Sequence, residues 1–261
     1  MKRVTRIFDI IQWQNEHYPQ EDAICGKANG TWKKYSTAQY LEITNYISYG
    51  LLSMGFKPGE KIATISNNCP EWNFIDMGML QAGIIHVPIY PTIRKEDYIH
   101  ILNHCKAKAV FVADKLIYKK LKPVIDSTDT IRFVFSFNGV PNIPHWSTIV
   151  ENGEKHKNEF QEKLDYIKSR IQPEDLATII YTSGTTGISK GVMLSHKNIV
   201  SNAFSTAKCQ PMDHRHRALS FLPLCHIFER MINYQYQLKG ISIYYLDNLG
   251  KIAESMREIK P

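Results

Sequence analysis

The sequence predicts an α/β protein in which layered sheets are joined by crossover helices. From residue 61 onward, short runs rich in β-branched residues alternate with longer stretches of helical periodicity. That alternation is typical of parallel strands linked by packed helices. The chain has 261 residues, of which 43% are hydrophobic, so it is long enough to bury a sizeable core.

The first strand and helix unit is the clearest. Residues 61–66 predict a strand, a helix then starts at Pro70 and stops before Gly83, and residues 84–90 predict a second strand. Proline is favoured in the first turn of a helix, and glycine is favoured just after its end. Pro88 has no N–H to donate, which predicts that the second strand lies at a sheet edge or ends at that residue.

Two similar units follow. Residues 95–107 predict a helix that leads into a strand at 109–113, and residues 115–126 predict a helix that leads into a strand at 132–137. Upstream, the amphipathic pattern of residues 37–54 predicts another packed helix, which ends at Gly55. Three consecutive units of this kind indicate a parallel sheet.

The second half of the chain begins with less regular sequence. Residues 138–156 carry glycine, proline and polar residues without a period, which predicts a surface connection, and residues 154–170 predict an exposed helix. Beyond Pro173 the alternation resumes, and the predicted elements are strands at 176–181, 217–222 and 241–246 and helices at 226–238 and 249–259.

Charge and cysteine content limit the classes of function. The net charge of +7 suits either a nucleic acid or an anionic small molecule, but the lysines lie beside hydrophobic residues at helical or strand spacing, as on a solvated face. We therefore expect no nucleic-acid partner. Five scattered cysteines without a Cys-x-x-Cys pair predict reduced thiols and a cytoplasmic location. No secretory leader or membrane span is predicted.

The most informative segment follows the strand at 176–181. Residues 182–191 contain five serine or threonine side chains, three glycines and Lys190. Glycines let backbone N–H groups approach an oxyanion, hydroxyls add donors, and the ammonium adds positive charge. The spacing is not that of a Walker A loop, and residues 191–195 predict a strand. The segment therefore predicts a phosphate-binding hairpin between two strands.

This segment resembles the glycine-, serine- and threonine-rich loop of the adenylate-forming superfamily. Residues 66–72 and 82–92 also resemble the early part of that family, and residues 222–230 resemble the Leu-Pro-Leu-x-His-x-x-x-Arg form of long-chain fatty acyl-CoA synthetases. The resemblance covers essentially the whole chain. It implies that the chain is the N-terminal part of the large domain of an adenylate-forming enzyme. Within residues 1–261, it places a first α/β subdomain at 1–172 and the start of a second at 173–261.

The resemblance implies ATP-dependent activation of a fatty acid to an acyl-adenylate, followed by transfer of the acyl group to coenzyme A, with Mg²⁺ as cofactor. It assigns the phosphate-binding role to Thr182, Ser183, Gly184, Thr185, Thr186, Gly187 and Lys190. One residue departs from the family pattern, because Ser189 stands where a proline usually precedes the lysine. The loss of proline predicts altered loop mobility without loss of a ligand.

His226 is the predicted catalytic residue. The resemblance places it near the bound carboxylate, where an imidazole orients the substrate or acts as a gate. Without the family match, a histidine at a helix start is more simply a capping or core residue. Tyr234 and Tyr236 on the same helix could line an acyl tunnel, although aromatic residues at helical spacing are more often core.

Several family elements do not occur in the sequence. These are the Tyr-Gly-x-Thr-Glu segment that supplies a magnesium ligand, the Thr-Gly-Asp segment that holds the ribose, and the C-terminal lid. We therefore predict no metal ligands, and we expect a piece of a longer protein with little or no ligase activity by itself. The alternatives are an amino-acid-activating adenylation domain and a non-catalytic nucleotide-binding fragment. Acyl length, oligomeric state and peripheral membrane contact stay open.

Overall fold

The computed structural model describes residues 4–28, 30–182, 188–246 and 248–261 and confirms the α/β prediction. In chain order, the described strands are β1 (Ile24–Ala28), β2 (Thr31–Tyr35), β3 (Lys61–Ile65), β4 (Ile85–Ile89), β5 (Ala109–Val112), β6 (Phe133–Ser136), β7 (Leu176–Thr182), β8 (Lys190–Ser195), β9 (Arg217–Ser220) and β10 (Ser242–Tyr245). The described α-helices are α1 (Asp9–His17), α2 (Thr37–Ser53), α3 (Pro70–Gln81), α4 (Lys95–Cys105), α5 (Lys115–Asp126), α6 (Ser147–Arg170), α7 (His196–Cys209), α8 (Ile227–Leu238) and α9 (Ile252–Ile259).

The strands form two sheets. The larger sheet has the order β6-β5-β3-β4-β7-β8, and its strands are parallel except for the antiparallel pair β7 and β8. The smaller sheet has the order β2-β1-β10-β9, with β1 and β10 parallel. Each sheet therefore combines strands from both sides of residue 172. The division into subdomains at 1–172 and 173–261 stays a prediction.

Helix starts follow from the capping residues in the sequence. Ser36 and Gln39 form a reciprocal capping box at the start of α2, and Asp114 accepts two backbone hydrogen bonds at the start of α5. Pro70 occupies the first turn of α3, as predicted. These local signals explain why the predicted strand and helix units around residues 37–137 are confirmed.

The predicted surface connection at 138–156 is wrong over its second half. Helix α6 begins at Ser147, and its first turns pack against α2. A Cβ atom placed on Gly153 would lie 1.8 Å from the backbone oxygen of Tyr46, so only glycine permits this approach. The glycine that suggested a loop is the residue that lets the two helices touch.

Of the two positions predicted for Pro88, the sheet edge is wrong, whereas a place near the strand end is confirmed because β4 ends at Ile89. Strand β4 lies between β3 and β7, and Pro88 is in register with Thr64 of β3. The registered pairing of β4 with β7 is confined to His86 opposite Thr178. His86 precedes Pro88 along β4. The missing N–H of Pro88 therefore interrupts no registered pair on that side.

The five cysteines are unpaired, as predicted. Three of them, Cys25, Cys105 and Cys225, are buried, and burial raises their pKa values to about 12, 11 and 12. Thiols of this kind are inert at neutral pH. Across the described residues, every helix is too short or too polar to cross a lipid bilayer.

Candidate active site

A cleft of about 440 Å³ opens where β4 and β7 end. Tyr90 follows β4, Thr182 closes β7, and His226 precedes α8, and all three line this cleft. Ligands of open α/β sheets bind in crevices beyond the carboxyl ends of parallel strands. The cleft therefore occupies the position where such a sheet binds its substrate.

The hairpin predicted around the phosphate loop is confirmed at both of its described ends. Strands β7 and β8 are antiparallel, with Tyr181 opposite Gly191 and Thr182 opposite Lys190. Thr182 and Ser189 both line the cleft. The predicted phosphate-binding residues between them, Ser183, Gly184, Thr185, Thr186 and Gly187, lie outside the described residues.

Lys190 begins β8 and is exposed. Among the described residues, no carboxylate forms an ion pair with its ammonium. An ammonium without a protein counterion keeps its charge available to an anionic ligand. Its position opposite Thr182 places that charge at the end of the loop.

Gly191 allows the ring of Tyr181 to lie close to β8. A Cβ atom placed on Gly191 would lie 2.8 Å from Cγ2 of Ile179 and 3.2 Å from Cζ of Tyr181. Glycine within a strand often marks such a close approach. The third glycine of the loop segment therefore has a packing role on the hairpin.

His226 caps a helix and also lines the cleft. Its side chain caps α8, because Nδ1 accepts a hydrogen bond from the backbone N–H of Phe228 at 3.3 Å. The residue is also exposed and lines the cleft, with its ring 6.5 Å from that of Tyr90. A neutral imidazole that accepts at Nδ1 carries its proton at Nε2. The cap thus leaves one imidazole donor available.

Part of the cleft lining, here called the apolar wall, is hydrophobic. It is lined by isoleucine side chains from the loop after β4, from α4, from β7 and from α8, namely Ile93, Ile101, Ile180 and Ile227. Asp97 is the one carboxylate among the described lining residues, and it pairs with Arg94 at 3.1 Å. The wall therefore offers apolar contact rather than an unpaired negative charge.

Below the cleft, a buried charge network connects α8 to the larger sheet. Arg230 of α8 donates from Nη2 to Oδ1 of Asp76 at 2.5 Å and from Nη1 to Oγ1 of Thr178 at 2.8 Å. Asp76 belongs to α3, and Thr178 belongs to β7. Arg230 therefore fixes the helix that begins beside His226 against the strand that leads to Thr182.

His86 extends the network within the sheet. Its Nδ1 lies 2.7 Å from Oδ1 of Asp76, and its Nε2 lies 2.7 Å from Oγ1 of Thr64. Burial lowers the pKa of His86 to about 4, although the Asp76 carboxylate opposes that change. The imidazole is therefore neutral, donating to Asp76 and accepting from Thr64.

Comparison with known proteins agrees with this geometry. The sequence matches the family described as AMP-binding enzyme over residues 11–260. The chain belongs to this family. It is 30% identical, over 268 residues, to the long-chain-fatty-acid–CoA ligase ACSBG2 of Xenopus laevis, with 98% of this chain and 36% of that protein covered. The chain therefore spans about a third of the length of that relative.

Solved structures support the fold of this AMP-binding chain. The long-chain-fatty-acid-CoA ligase FadD1 of Archaeoglobus fulgidus superposes with a TM-score of 0.82 at 24% identity, over 98% of this chain and 50% of that one. VinN in complex with 3-methylaspartate superposes with a TM-score of 0.76 at 21% identity, over 97% of this chain and 63% of that one. One neighbour is a long-chain-fatty-acid-CoA ligase and the other was solved with 3-methylaspartate, so the fold alone does not select a substrate.

In this AMP-binding chain, Tyr234 contributes to the buried network. It is 1% exposed, and its hydroxyl contacts both Asp76 and Arg230. Tyr236 is half-buried and packs against the main core. Neither lines the cleft, so the core role that aromatic residues at this spacing usually have fits both of them.

The described residues do not fit a bound magnesium ion. None of them form a group of three histidine, cysteine, aspartate or glutamate side chains placed to hold a metal. Asp97, the carboxylate in the cleft, is already paired with Arg94. Mg²⁺ prefers carboxylate and phosphate oxygens, so its protein ligands would have to come from elsewhere.

Sequence reasoning missed several residues around the cleft. Tyr90, Arg94 and Asp97 line it, and Asp76 supports it from below. Asp76 lies on α3, whereas Tyr90, Arg94 and Asp97 lie on the connection from β4 into the first turn of α4, and nothing in their local pattern marks them as a site. Position was an available signal, because Tyr90 is the last residue of the strand predicted at 84–90 and the carboxyl ends of strands are where ligands bind.

Proposed function

We propose that this chain holds ATP and a fatty acid in a fatty acyl-CoA synthetase. The observation that carries the proposal is the cleft itself, which is lined by Thr182 and Ser189 at the loop ends, by His226 and by isoleucine side chains. The phosphates of ATP need polar donors and the acyl chain needs apolar contact, and the cleft offers both. The name of the Xenopus relative, a long-chain-fatty-acid–CoA ligase, points to the same substrate class.

The reaction proceeds in two balanced steps. A carboxylate oxygen of the fatty acid attacks the α-phosphorus of ATP, the bond to the β-phosphate breaks, and pyrophosphate leaves. The thiol of coenzyme A then attacks the acyl carbonyl, loses its proton and displaces AMP. Nucleotidyl transfer of this kind depends mainly on positioning and on stabilisation of charge.

Each residue has a defined task in the first step. Thr182, Ser183, Gly184, Thr185, Thr186 and Gly187 supply hydroxyl and backbone donors to the phosphates, and Lys190 supplies positive charge. His226 donates from Nε2 to the carboxylate while its Nδ1 keeps the helix cap. The isoleucine wall contacts the acyl chain and keeps water from it.

An amino-acid substrate is the second candidate. Its ammonium group would require an unpaired carboxylate, and Asp97 is paired with Arg94. VinN, which was solved with 3-methylaspartate, shares the fold with this chain, but a shared fold does not favour one substrate over another. A non-catalytic nucleotide-binding role is the third candidate, and it predicts ATP binding without any preference among carboxylates.

Stable acyl-adenylate mimics distinguish these candidates. The chain is titrated calorimetrically with sulfamoyl adenosines that carry fatty tails of graded length, or aspartyl or leucyl groups. We expect tighter binding as the tail lengthens, by about 0.8 kcal/mol for each buried CH₂ group. Tighter binding of the aminoacyl mimics would contradict the fatty-acid proposal, and equal binding of all mimics would favour the non-catalytic role. Cytoplasmic location and peripheral membrane contact remain predictions.

A further inference from the structure

Two histidines of α4 hold the ends of the phosphate loop. His100 and His104 lie one turn apart, and their rings stack with centroids 5.4 Å apart and an interplanar angle of 26°. Nε2 of His100 lies 2.9 Å from the backbone oxygen of Ser189, and Nδ1 of His104 lies 2.6 Å from the hydroxyl oxygen of Tyr181. Tyr181 and Ser189 lie on opposite sides of the loop.

In the first of these contacts, the donor is fixed by the nature of its partner. A backbone carbonyl only accepts, so Nε2 of His100 must donate to Ser189. The same His100 ring contacts Tyr181 edge-on, with centroids 6.3 Å apart at 87°, and the His104 ring does so at 5.8 Å and 88°. One helix face therefore contacts Tyr181 near the end of β7 and Ser189 just before β8.

The identity of Ser189 makes the His100 contact more important. A proline at this position would restrict the backbone by its ring, whereas serine leaves the backbone freer. The hydrogen bond from His100 restrains the same segment through its carbonyl instead. The hydroxyl of Ser189 is buried and has no partner among the described residues, so it does not provide that restraint.

We propose that His100 and His104 are positioning residues for the phosphate loop, with His100 replacing the restraint that a proline at position 189 would supply. They act through Ser189 and Tyr181 and need not contact the nucleotide. The effect on ATP rests on the proposed function. The effect on the hairpin itself does not depend on any ligand.

Paired substitutions at His100 test the donor. Glutamine at 100 keeps a side-chain N–H near the place of Nε2, whereas leucine removes it. We expect His100→Leu to weaken ATP binding and to speed tryptic cleavage after Lys190, each by roughly three- to tenfold, because one neutral hydrogen bond is lost. His100→Gln should stay close to wild type in both measurements. Adenosine, which lacks phosphates, should bind all variants equally.

Controls separate local from global effects. His156→Leu removes a histidine of α6 whose Nδ1 contacts only its own helix among the described residues, and it should change neither measurement. Tyr181→Phe keeps the ring but removes the hydroxyl that contacts His104. It provides a second test of the proposal if His100→Leu fails to fold. It should also speed cleavage after Lys190.

The outcomes are distinct. Wild-type cleavage rates in His100→Leu and Tyr181→Phe would overturn the proposal, as would equal impairment of His100→Leu and His100→Gln. If the wild-type chain binds neither ATP nor inorganic triphosphate, the proposed function fails. In that case the cleavage rates, measured without ligand, still decide whether the histidines hold the hairpin.

Discussion

The guanidinium of Arg230 and the carboxylate of Asp76 lie 2.5 Å apart, and both side chains are fully buried. Burial by itself raises the pKa of Asp76, but the charge of Arg230 and hydrogen bonds from His86 and Tyr234 outweigh it and hold that pKa below its usual value. The pair connects α3 to the helix that carries His226 at its cap. It therefore supports the candidate site without lining it.

Removing one partner of this pair should strongly destabilise the chain. In Arg230→Met the Asp76 carboxylate stays buried without its counterion, which we expect to lower the free energy of unfolding by about 3–5 kcal/mol. Urea denaturation measures this change. Arg215→Met, which removes an exposed partner of Asp213, is the control and should shift the midpoint little. Equal urea midpoints for the two variants would show that the buried pair stabilises the chain no more than the exposed pair does.

Stability should fall as the pH decreases below 6.5, because two buried histidines are neutral in the folded chain. Burial lowers the pKa values of His86 and His196 from 6.5 to about 4. Both imidazoles bind protons more weakly in the folded chain, so protonation favours the unfolded chain. The free energy of unfolding is therefore highest above pH 6.5 and decreases as the pH falls from 6.5 to 4. At pH 5 the loss is roughly 2 kcal/mol for each histidine.

Urea denaturation at pH 7.5 and pH 5.0 tests this dependence. Replacing His196 by glutamine should reduce the difference between the two pH values by about half. A wild-type free energy of unfolding that is the same at both pH values would contradict the neutral state of the buried imidazoles.

Substitutions at His226 should separate its cap from its ligand contact. Asparagine caps helices well, whereas alanine does not, so His226→Ala should lose about 1 kcal/mol of stability and His226→Asn should lose little. Both variants lack the imidazole and should bind a fatty acyl sulfamoyl adenosine roughly three- to tenfold more weakly. If His226→Asn binds the mimic as tightly as wild type does, His226 is a cap and nothing more.

The contact between α2 and α6 should tolerate no side chain at Gly153. The methyl group of Gly153→Ala would lie 1.8 Å from the backbone oxygen of Tyr46, so we expect a loss of about 1–3 kcal/mol from overpacking. Gly139→Ala is the matched control, because nothing lies within 4 Å of the added atom. Thermal denaturation compares the two, and equal midpoints would contradict the close packing of these helices.

Much of the fold follows from local sequence. Pro70 and Gly83 bound α3 because their backbone preferences are strong, and Ser36 starts α2 by direct hydrogen bonding. The start of α6 was missed because its glycine and polar residues have a loop-like composition. What makes Gly153 helical is its approach to Tyr46, and that contact is tertiary.

The candidate site was predictable only where a motif carries it. The proposed phosphate loop and His226 could be named as candidates because their motifs consist of contiguous or nearly contiguous residues. His100 and His104 carry no such signal, since their partners are 89 and 77 residues away in the chain. Long-range hydrogen bonds of this kind depend on the packed arrangement of α4 against the hairpin.

The most direct test of the account is the ATP affinity of Lys190→Ala compared with Lys197→Ala, each measured by calorimetry beside adenosine. Lys197 is exposed and pairs with Glu174, so its loss controls for the removal of one positive charge. We predict that Lys190→Ala binds ATP roughly 10- to 100-fold more weakly, because a charge-assisted hydrogen bond is lost, and that Lys197→Ala and all adenosine affinities stay unchanged. An ATP affinity of Lys190→Ala equal to that of wild type would contradict the assignment of this hairpin to phosphate binding.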